Sequence, residues 1–110
     1  MDVRFADDEL DRLETDGEFN ASFDRAIVRK YRKVMQLIRA APDERTFYQM
    51  KSLHYEKLKG KRSHQRSMRL NDQWRLILEL EEQEDGKLVV IVSIEDYHEE
   101  RESDVNKNTG

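Results

Sequence analysis

Residues 67–80, SMRLNDQWRLILEL, read as two strands joined by a tight turn. Met68 and Leu70 alternate with Ser67 and Arg69, the period of two that sends successive side chains to opposite faces of a sheet. Asn71, Asp72 and Gln73 have turn chemistry. The chain then returns through Trp74, Leu76 and Leu78, which flank Arg75 with apolar neighbours. Such a hairpin has one apolar face, which needs a covering layer, and one face that carries Arg69 and Arg75.

The segments on either side supply that layer and extend the sheet. Downstream, Glu84, Asp85 and Gly86 form a second turn into residues 87–94, apolar on both faces as in a central strand. Upstream, the Lys-rich residues 57–62 link an extended piece to the hairpin. Before them, Phe23, Ile27, Tyr31, Val34, Ile38 and Ala41 recur at steps of four and three, one stripe of a helix capped at Asn20 or Ser22 and ended by Pro42. Its opposite face carries Arg25, Arg29, Arg32, Lys33 and Arg39, a solvated face. Asp43 caps a short helix running through Met50. At the start, Val3 to Phe5 read as a strand, and Asp7, Asp8 and Glu9 open a brief helix carrying Leu10 and Leu13 and closing near Gly17. The expectation is an α+β fold, with an N-terminal strand and helices packed on a curved antiparallel sheet. Residues 1–98 form its single domain, and residues 99–110 are a polar tail with little to bury, expected to be mobile.

Charge patterning narrows the function. Charged residues make up 40% of the 110 positions, against an ordinary share of about 25%, so the core is lean and the surface crowded with charge. Residues 1–24 hold nine acids and two bases, residues 25–75 fifteen bases and four acids, and residues 76–110 three bases and eleven acids. The local balances of −7, +11 and −8 leave −4 overall, and the middle block suits a polyanion. There is no cysteine, which excludes disulfides and thiolate metal sites. No apolar run has the length of a membrane span, and the start MDVRFADDEL lacks the basic and apolar parts of a signal peptide, so a cytoplasmic protein without membrane contact is expected.

The histidines His54, His64 and His98 have no metal-site spacing, so no metal and no cofactor is expected. Glycine-rich phosphate loops and serine or cysteine nucleophile motifs are absent from the sequence. What remains is Arg69 and Arg75, the cations Lys57, Lys59, Lys61 and Arg62 before them, and Tyr97 and His98 after the last strand. Two guanidiniums on one sheet face suit phosphate oxygens, a histidine exchanges protons near neutral pH, and a tyrosine stacks on a base or donates its phenol hydrogen. On the residues alone a second reading stands beside this one: Arg69 and Arg75 pair with cross-strand Glu79 or Glu95, and His98 is an ordinary surface residue.

The run LHYEKLKGKRSHQRSMRLNDQWRLILELE, followed by VVIVSIEDYH, resembles the RelE/ParE superfamily of bacterial toxins, most closely its HigB-type branch. The shared elements are Leu58-Lys59-Gly60, the arginine strand leading through Asn71, Asp72, Gln73, Trp74 and Arg75, and the closing Asp96-Tyr97-His98. They cover residues 53–98 well and the helices loosely. The resemblance implies the toxin of a type II toxin-antitoxin system, a ribosome-dependent endoribonuclease that cuts mRNA in the ribosomal A site. It also implies a helix-turn-helix antitoxin of the HigA kind, which inhibits the toxin and carries it to operator DNA. Under the resemblance His98, Tyr97, Arg75 and Lys59 are catalytic, while Arg69, Arg62 and Asp96 hold RNA or orient the cations. Cutting without a metal uses the RNA's own 2′-hydroxyl, so the protein supplies a base, an acid and cations. Two other readings fit the scaffold: a gyrase-inhibiting toxin of the ParE kind, and a catalytically silent antitoxin-binding module. One feature departs from a basic ribonuclease. Glu95, Asp96, Glu99 and Glu100 surround the terminal pair, where their charge repels RNA and favours the imidazolium form of His98.

Overall fold

The computed structural model describes residues 1–96. Tyr97, His98 and the expected tail over residues 99–110 lie outside the described residues. Strand β1 (Asp2–Phe5) is followed by helices α1 (Asp8–Thr15), α2 (Arg25–Ala40) and α3 (Arg45–Gln49), then by β2 (Glu56–Lys57), β3 (Gln65–Arg69), β4 (Trp74–Gln83) and β5 (Gly86–Asp96). Short 3-10 turns at Lys51–Leu53 and Gly60–Arg62 flank β2. The strands form one sheet in the order β1-β5-β4-β3-β2. β2 to β5 pair antiparallel, as the hairpin pattern predicts. β1 adds to the free edge of β5 in parallel register, Asp2 with Leu88 through Phe5 with Ile91, and makes the sheet mixed. β5 therefore has neighbours on both sides, which explains its apolar length.

Caps and termini explain where the helices begin. Asp7 caps α1 by accepting from the Glu9 N–H. The cap of α2 is Asp24, whose carboxylate accepts from the Ile27 N–H at 3.0 Å, and not Asn20 or Ser22. Those two residues build the preceding turn, where the Asn20 side chain accepts from the Ser22 N–H at 2.9 Å. Asp43 accepts from the Arg45 N–H, so α3 begins at Arg45 behind Glu44.

The core lies between the helices and one sheet face. Leu10, Leu13, Ile27, Tyr31, Val34, Met35, Ile38 and Phe47 meet Met68, Leu70, Leu76, Leu78, Val89 and Ile91. Ile77 and Val90 are buried too, but on the other face and outside this cluster. The solvated-face expectation fails for Arg32, which turns back to donate to the carbonyls of Leu13 at 2.9 Å and Asp16 at 2.8 Å, closing the C-terminal end of α1. Tyr31 makes the companion contact from the core, its hydroxyl donating to the Leu10 carbonyl at 2.7 Å. Burial, with the charges of Glu14 and Asp11, pushes the Tyr31 phenol well above its ordinary range, so it stays a donor. Tyr31→Phe removes this buried hydrogen bond while the Leu10 carbonyl keeps its place inside α1, and should cost about 0.5–1.5 kcal/mol of unfolding free energy in a urea titration. A loss below a few tenths would show that water replaces the hydroxyl.

Candidate functional site

The face of the sheet turned away from the helices carries the predicted cations. Arg69 in β3 and Arg75 in β4 are direct cross-strand partners, and Arg75 is in turn opposite Glu95 in β5. Side chains of such partners share a face. Two like charges placed opposite each other oppose sheet pairing, so the fold must hold them with other groups. Arg75 is buried, and its Nη1 donates to the His54 carbonyl at 3.3 Å. Arg69, half-buried, pairs with Asp72 of the turn that follows.

Glu95 reaches this face because of a β-bulge. In β5, Val89 and Ile91 point into the core, so strict alternation would send Ser93 and Glu95 there too. The pairing instead steps from Leu78 opposite Ile91 to Ile77 opposite Ser93, leaving Val92 without a partner. The extra residue reverses the phase of the strand. Ile94 now joins the core beside Leu76, while Ser93 and Glu95 join Arg69 and Arg75 on the far face.

A line of hydrogen bonds ties the connection before β3 to this row. Arg62, in the Gly60–Arg62 turn, donates from Nη2 to Glu95 Oε2 at 2.7 Å and from Nε to Gln65 Oε1 at 2.9 Å. Gln65 passes the contact on to Glu79 at 3.0 Å, and the Ser93 hydroxyl donates to Glu95 at 2.7 Å. Three guanidiniums thus converge on one surface, two from strands and one from a clamped turn. Burial works against ionisation of Glu95, but the bonds from Arg62 and Ser93 and the Arg62 charge outweigh it and hold the carboxyl below its ordinary range. Because the folded-state pKa is the lower one, the pair stabilises the fold above the ordinary value of 4.5 and is lost as pH falls through the depressed one. Both side chains are more than a third exposed. Glu95→Gln should therefore cost at most about 1 kcal/mol at pH 7. In paired denaturant titrations that difference from wild type should shrink as pH falls below 4.5 and through the depressed pKa; a difference that does not change with pH would mean packing rather than charge.

The other predicted residues fall as follows. Lys59 precedes the Gly60–Arg62 turn and is exposed, with no side-chain hydrogen bond or ion pair among the described residues. Asp96 is the cross-strand partner of Trp74, on the helix side of the sheet, and accepts from Gln73 Nε2 at 3.1 Å. It is not in the row of Arg69, Arg75 and Glu95. Tyr97 and His98, which follow it directly, lie outside the described residues. Sequence reasoning missed Gln65 and Ser93 as clamp members and named Glu95 as a possible counter-ion of the strand arginines and as one of the acids around the terminal pair, not as the partner of Arg62. The alternation of Gln65, Ser67 and Arg69 against Arg66 and Met68 would have exposed the first. The bulge hides the other two.

Comparisons with known proteins fit this architecture. Residues 3–98 match the family model for HigB-like toxins, described as the RelE-like toxin HigB of type II toxin-antitoxin systems. No curated protein sequence matches the chain. Among solved structures, a YoeB/ParE toxin from Agrobacterium tumefaciens is 17% identical with a TM-score of 0.56, over 88% of this chain and 99% of that one. YafQ from E. coli strain BL21(DE3) is 14% identical with a TM-score of 0.55, over 88% and 93% of the two chains. At such identities the two structures speak for the fold.

Proposed function

Because the chain belongs to the HigB-like toxins, RelE-like members of type II toxin-antitoxin systems, we propose that it is a ribosome-dependent endoribonuclease that cuts mRNA in the decoding site. The observation that carries this reading is the convergence of Arg62, Arg69 and Arg75 on the sheet face at the end of β5, the strand that leads into Tyr97 and His98. The reaction needs no protein nucleophile. The RNA 2′-hydroxyl loses its proton to a base and attacks the adjacent phosphorus, while the 5′-oxygen takes a proton as it leaves. The products are a 2′,3′-cyclic phosphate and a 5′-hydroxyl end.

In this scheme His98 transfers a proton, with Tyr97 orienting a base or assisting it. Arg75 and Lys59 stabilise the charge that builds on the phosphorane oxygens, and Arg69 and Arg62 hold backbone phosphate. The guanidiniums supply the positive charge that a metal ion provides elsewhere. A type II toxin has an antitoxin partner; we infer a helix-turn-helix protein through which operator DNA is reached, and action in the cytoplasm. Among the described residues no helix is long and apolar enough to cross a membrane.

The test is inducible expression with mapping of mRNA ends during translation. Growth arrest with new 5′-hydroxyl ends in translated messages is expected, and arrest or cuts should disappear without ribosomes. Wild-type expression that gives neither would overturn the reading. A purified chain that blocks DNA supercoiling and leaves messages whole would instead establish the gyrase-inhibiting alternative.

A further inference from the structure

The sheet face that carries Arg69 and Arg75 also holds a carboxylate in its midst. Glu95 is the cross-strand partner of Arg75, which stands opposite Arg69, and its Oε2 accepts from Arg62 Nη2 at 2.7 Å. The bulge at Val92 aims Glu95 at this face, as bulges beside functional surfaces re-aim side chains elsewhere. The Ser93 hydroxyl donates to the same oxygen at 2.7 Å. From the other side, the turn that opens on Gly60 at φ 64° brings Arg62 to the carboxylate, and Gln65 holds the guanidinium through Nε.

Asp72, the acid paired with Arg69, sits differently. Its side chain is 95% exposed in the β3–β4 turn, against 35% for Glu95. Water screens a charge at the rim well and a charge set into the face less. Burial alone would raise the Glu95 carboxyl, but the bonds from Arg62 and Ser93 hold it below the ordinary range, so it is ionised at neutral pH.

A carboxylate bound to a guanidinium competes with phosphate. Both offer oxygens to the same N–H donors, and a donor occupied part of the time binds a ligand more weakly by the fraction of time it is open. Glu95, fixed on the same chain, meets Arg62 at high effective concentration, whereas free RNA meets it only at its bulk concentration. A message held in register on a ribosome escapes that disadvantage, because its phosphates are presented beside the arginines together.

We propose that Glu95 is a built-in competitor for phosphate on Arg62, which keeps the affinity of this face for free RNA low and leaves productive contact to messages that the ribosome presents. The inference rests on the ribosome-dependent ribonuclease reading and adds to it the residue that restrains RNA binding away from the ribosome.

The test uses Glu95→Gln, which removes the charge and keeps an oxygen able to accept from Arg62 and Ser93. Binding of the full chain to a short single-stranded 2′-O-methyl RNA, which lacks the attacking hydroxyl, is measured across a salt series, beside cutting of messages on ribosomes. Glu95→Gln should bind this RNA about three- to tenfold more tightly at low salt, and log K against log salt should steepen by about 0.7, the change for one more phosphate contact on a single strand. Adding Arg62→Gln to that variant should cancel the gain. The same RNA should inhibit cutting on ribosomes by Glu95→Gln at several-fold lower concentration than it inhibits wild type. Glu79→Gln makes an equal change in net charge at an acid held by Gln65. Four residues from Arg75 along β4, roughly 13 Å and beyond the screening length, it should shift the affinity by less than about twofold.

An affinity for Glu95→Gln within about twofold of wild type, with an unchanged salt slope, would overturn the proposal. Weaker binding would do the same, since Glu95 would then be the holder of Arg62 and not its competitor. An equal gain from Glu79→Gln would assign the effect to net charge and overturn it as well. Any of these with normal cutting by wild type sinks the inference alone. A wild-type chain that cuts nothing on ribosomes, beside a Glu95→Gln chain that binds the RNA more tightly, would refute the ribonuclease reading and leave the competition standing.

Discussion

Arg75→Ala is expected to lower the rate of mRNA cutting on ribosomes by about 10²–10³-fold, the effect of removing one preorganised donor to developing oxyanion charge. Arg75 is chosen over its neighbours because of how it is held. Arg69 is half-buried and has Asp72 as a counter-ion in the turn. Arg62 rides on a turn and is clamped by Glu95 and Gln65. Arg75 is 8% exposed in a regular strand, with the His54 carbonyl accepting from Nη1. A charge fixed in a partly dried site costs little reorganisation when a phosphorane forms, and its field is poorly screened. The substitution also strips the His54 carbonyl of that donor, which can cost about 1–3 kcal/mol of stability. Unfolding must therefore be measured beside activity. Arg75→Lys keeps the charge without the planar fork and should recover part of the rate; its failure to exceed the alanine variant would make the geometry, not the charge, decisive. Cutting by a folded Arg75→Ala chain within about threefold of wild type would remove Arg75 from the mechanism.

The elements that were legible in the sequence are those whose period matches a single buried face. α2 declares itself through Ile27, Tyr31, Val34 and Ile38, all buried, and the β3–β4 hairpin through Met68, Leu70, Leu76 and Leu78. Caps were less legible because Asn20, Ser22 and Asp24 have the same capping chemistry within five residues, and only the turn geometry decides between them. A four-residue β1 carries no mark of its partner, so its parallel place beside β5 could not be read. The bulge at Val92 was hidden for a different reason. In VVIVSI nearly every residue is apolar, so neither phase violates the pattern, and the facing of Glu95 depends on one unpaired residue. Arg32 went astray because a long side chain on an apparently wet helix face can fold back onto the carbonyls of its neighbour. The basic middle of the chain thus divides three ways. Some cations close the fold, some meet on the far sheet face, and the Arg25, Arg29 and Lys33 row looks outward.

That division also bears on the acids around the terminal Tyr97 and His98, and with them on the second large expected effect. His98→Ala should lower the cutting rate by about 10²–10⁴-fold, the contribution of a positioned proton-transfer group. On charge alone Glu95, Asp96, Glu99 and Glu100 would repel the RNA that His98 must meet. Two of the four are already committed elsewhere: Glu95 is bound to Arg62 and Ser93, and Asp96 accepts from Gln73 on the other side of the sheet. On the proposed reading, RNA approaching Arg75 would meet an arginine-carboxylate pair and not a bare anion, since Arg62 and Ser93 both hold Glu95. The arginine and histidine variants should then fail in different ways. Arg75→Ala weakens the grip on phosphate as well as the chemical step, whereas His98→Ala should bind RNA as wild type does and lose kcat alone. The rate of the histidine variant should also lose the pH dependence that a histidine confers between about pH 5 and 8. A His98→Ala chain that keeps both its rate and its pH profile would transfer proton handling to another group, with Tyr97 the first to examine.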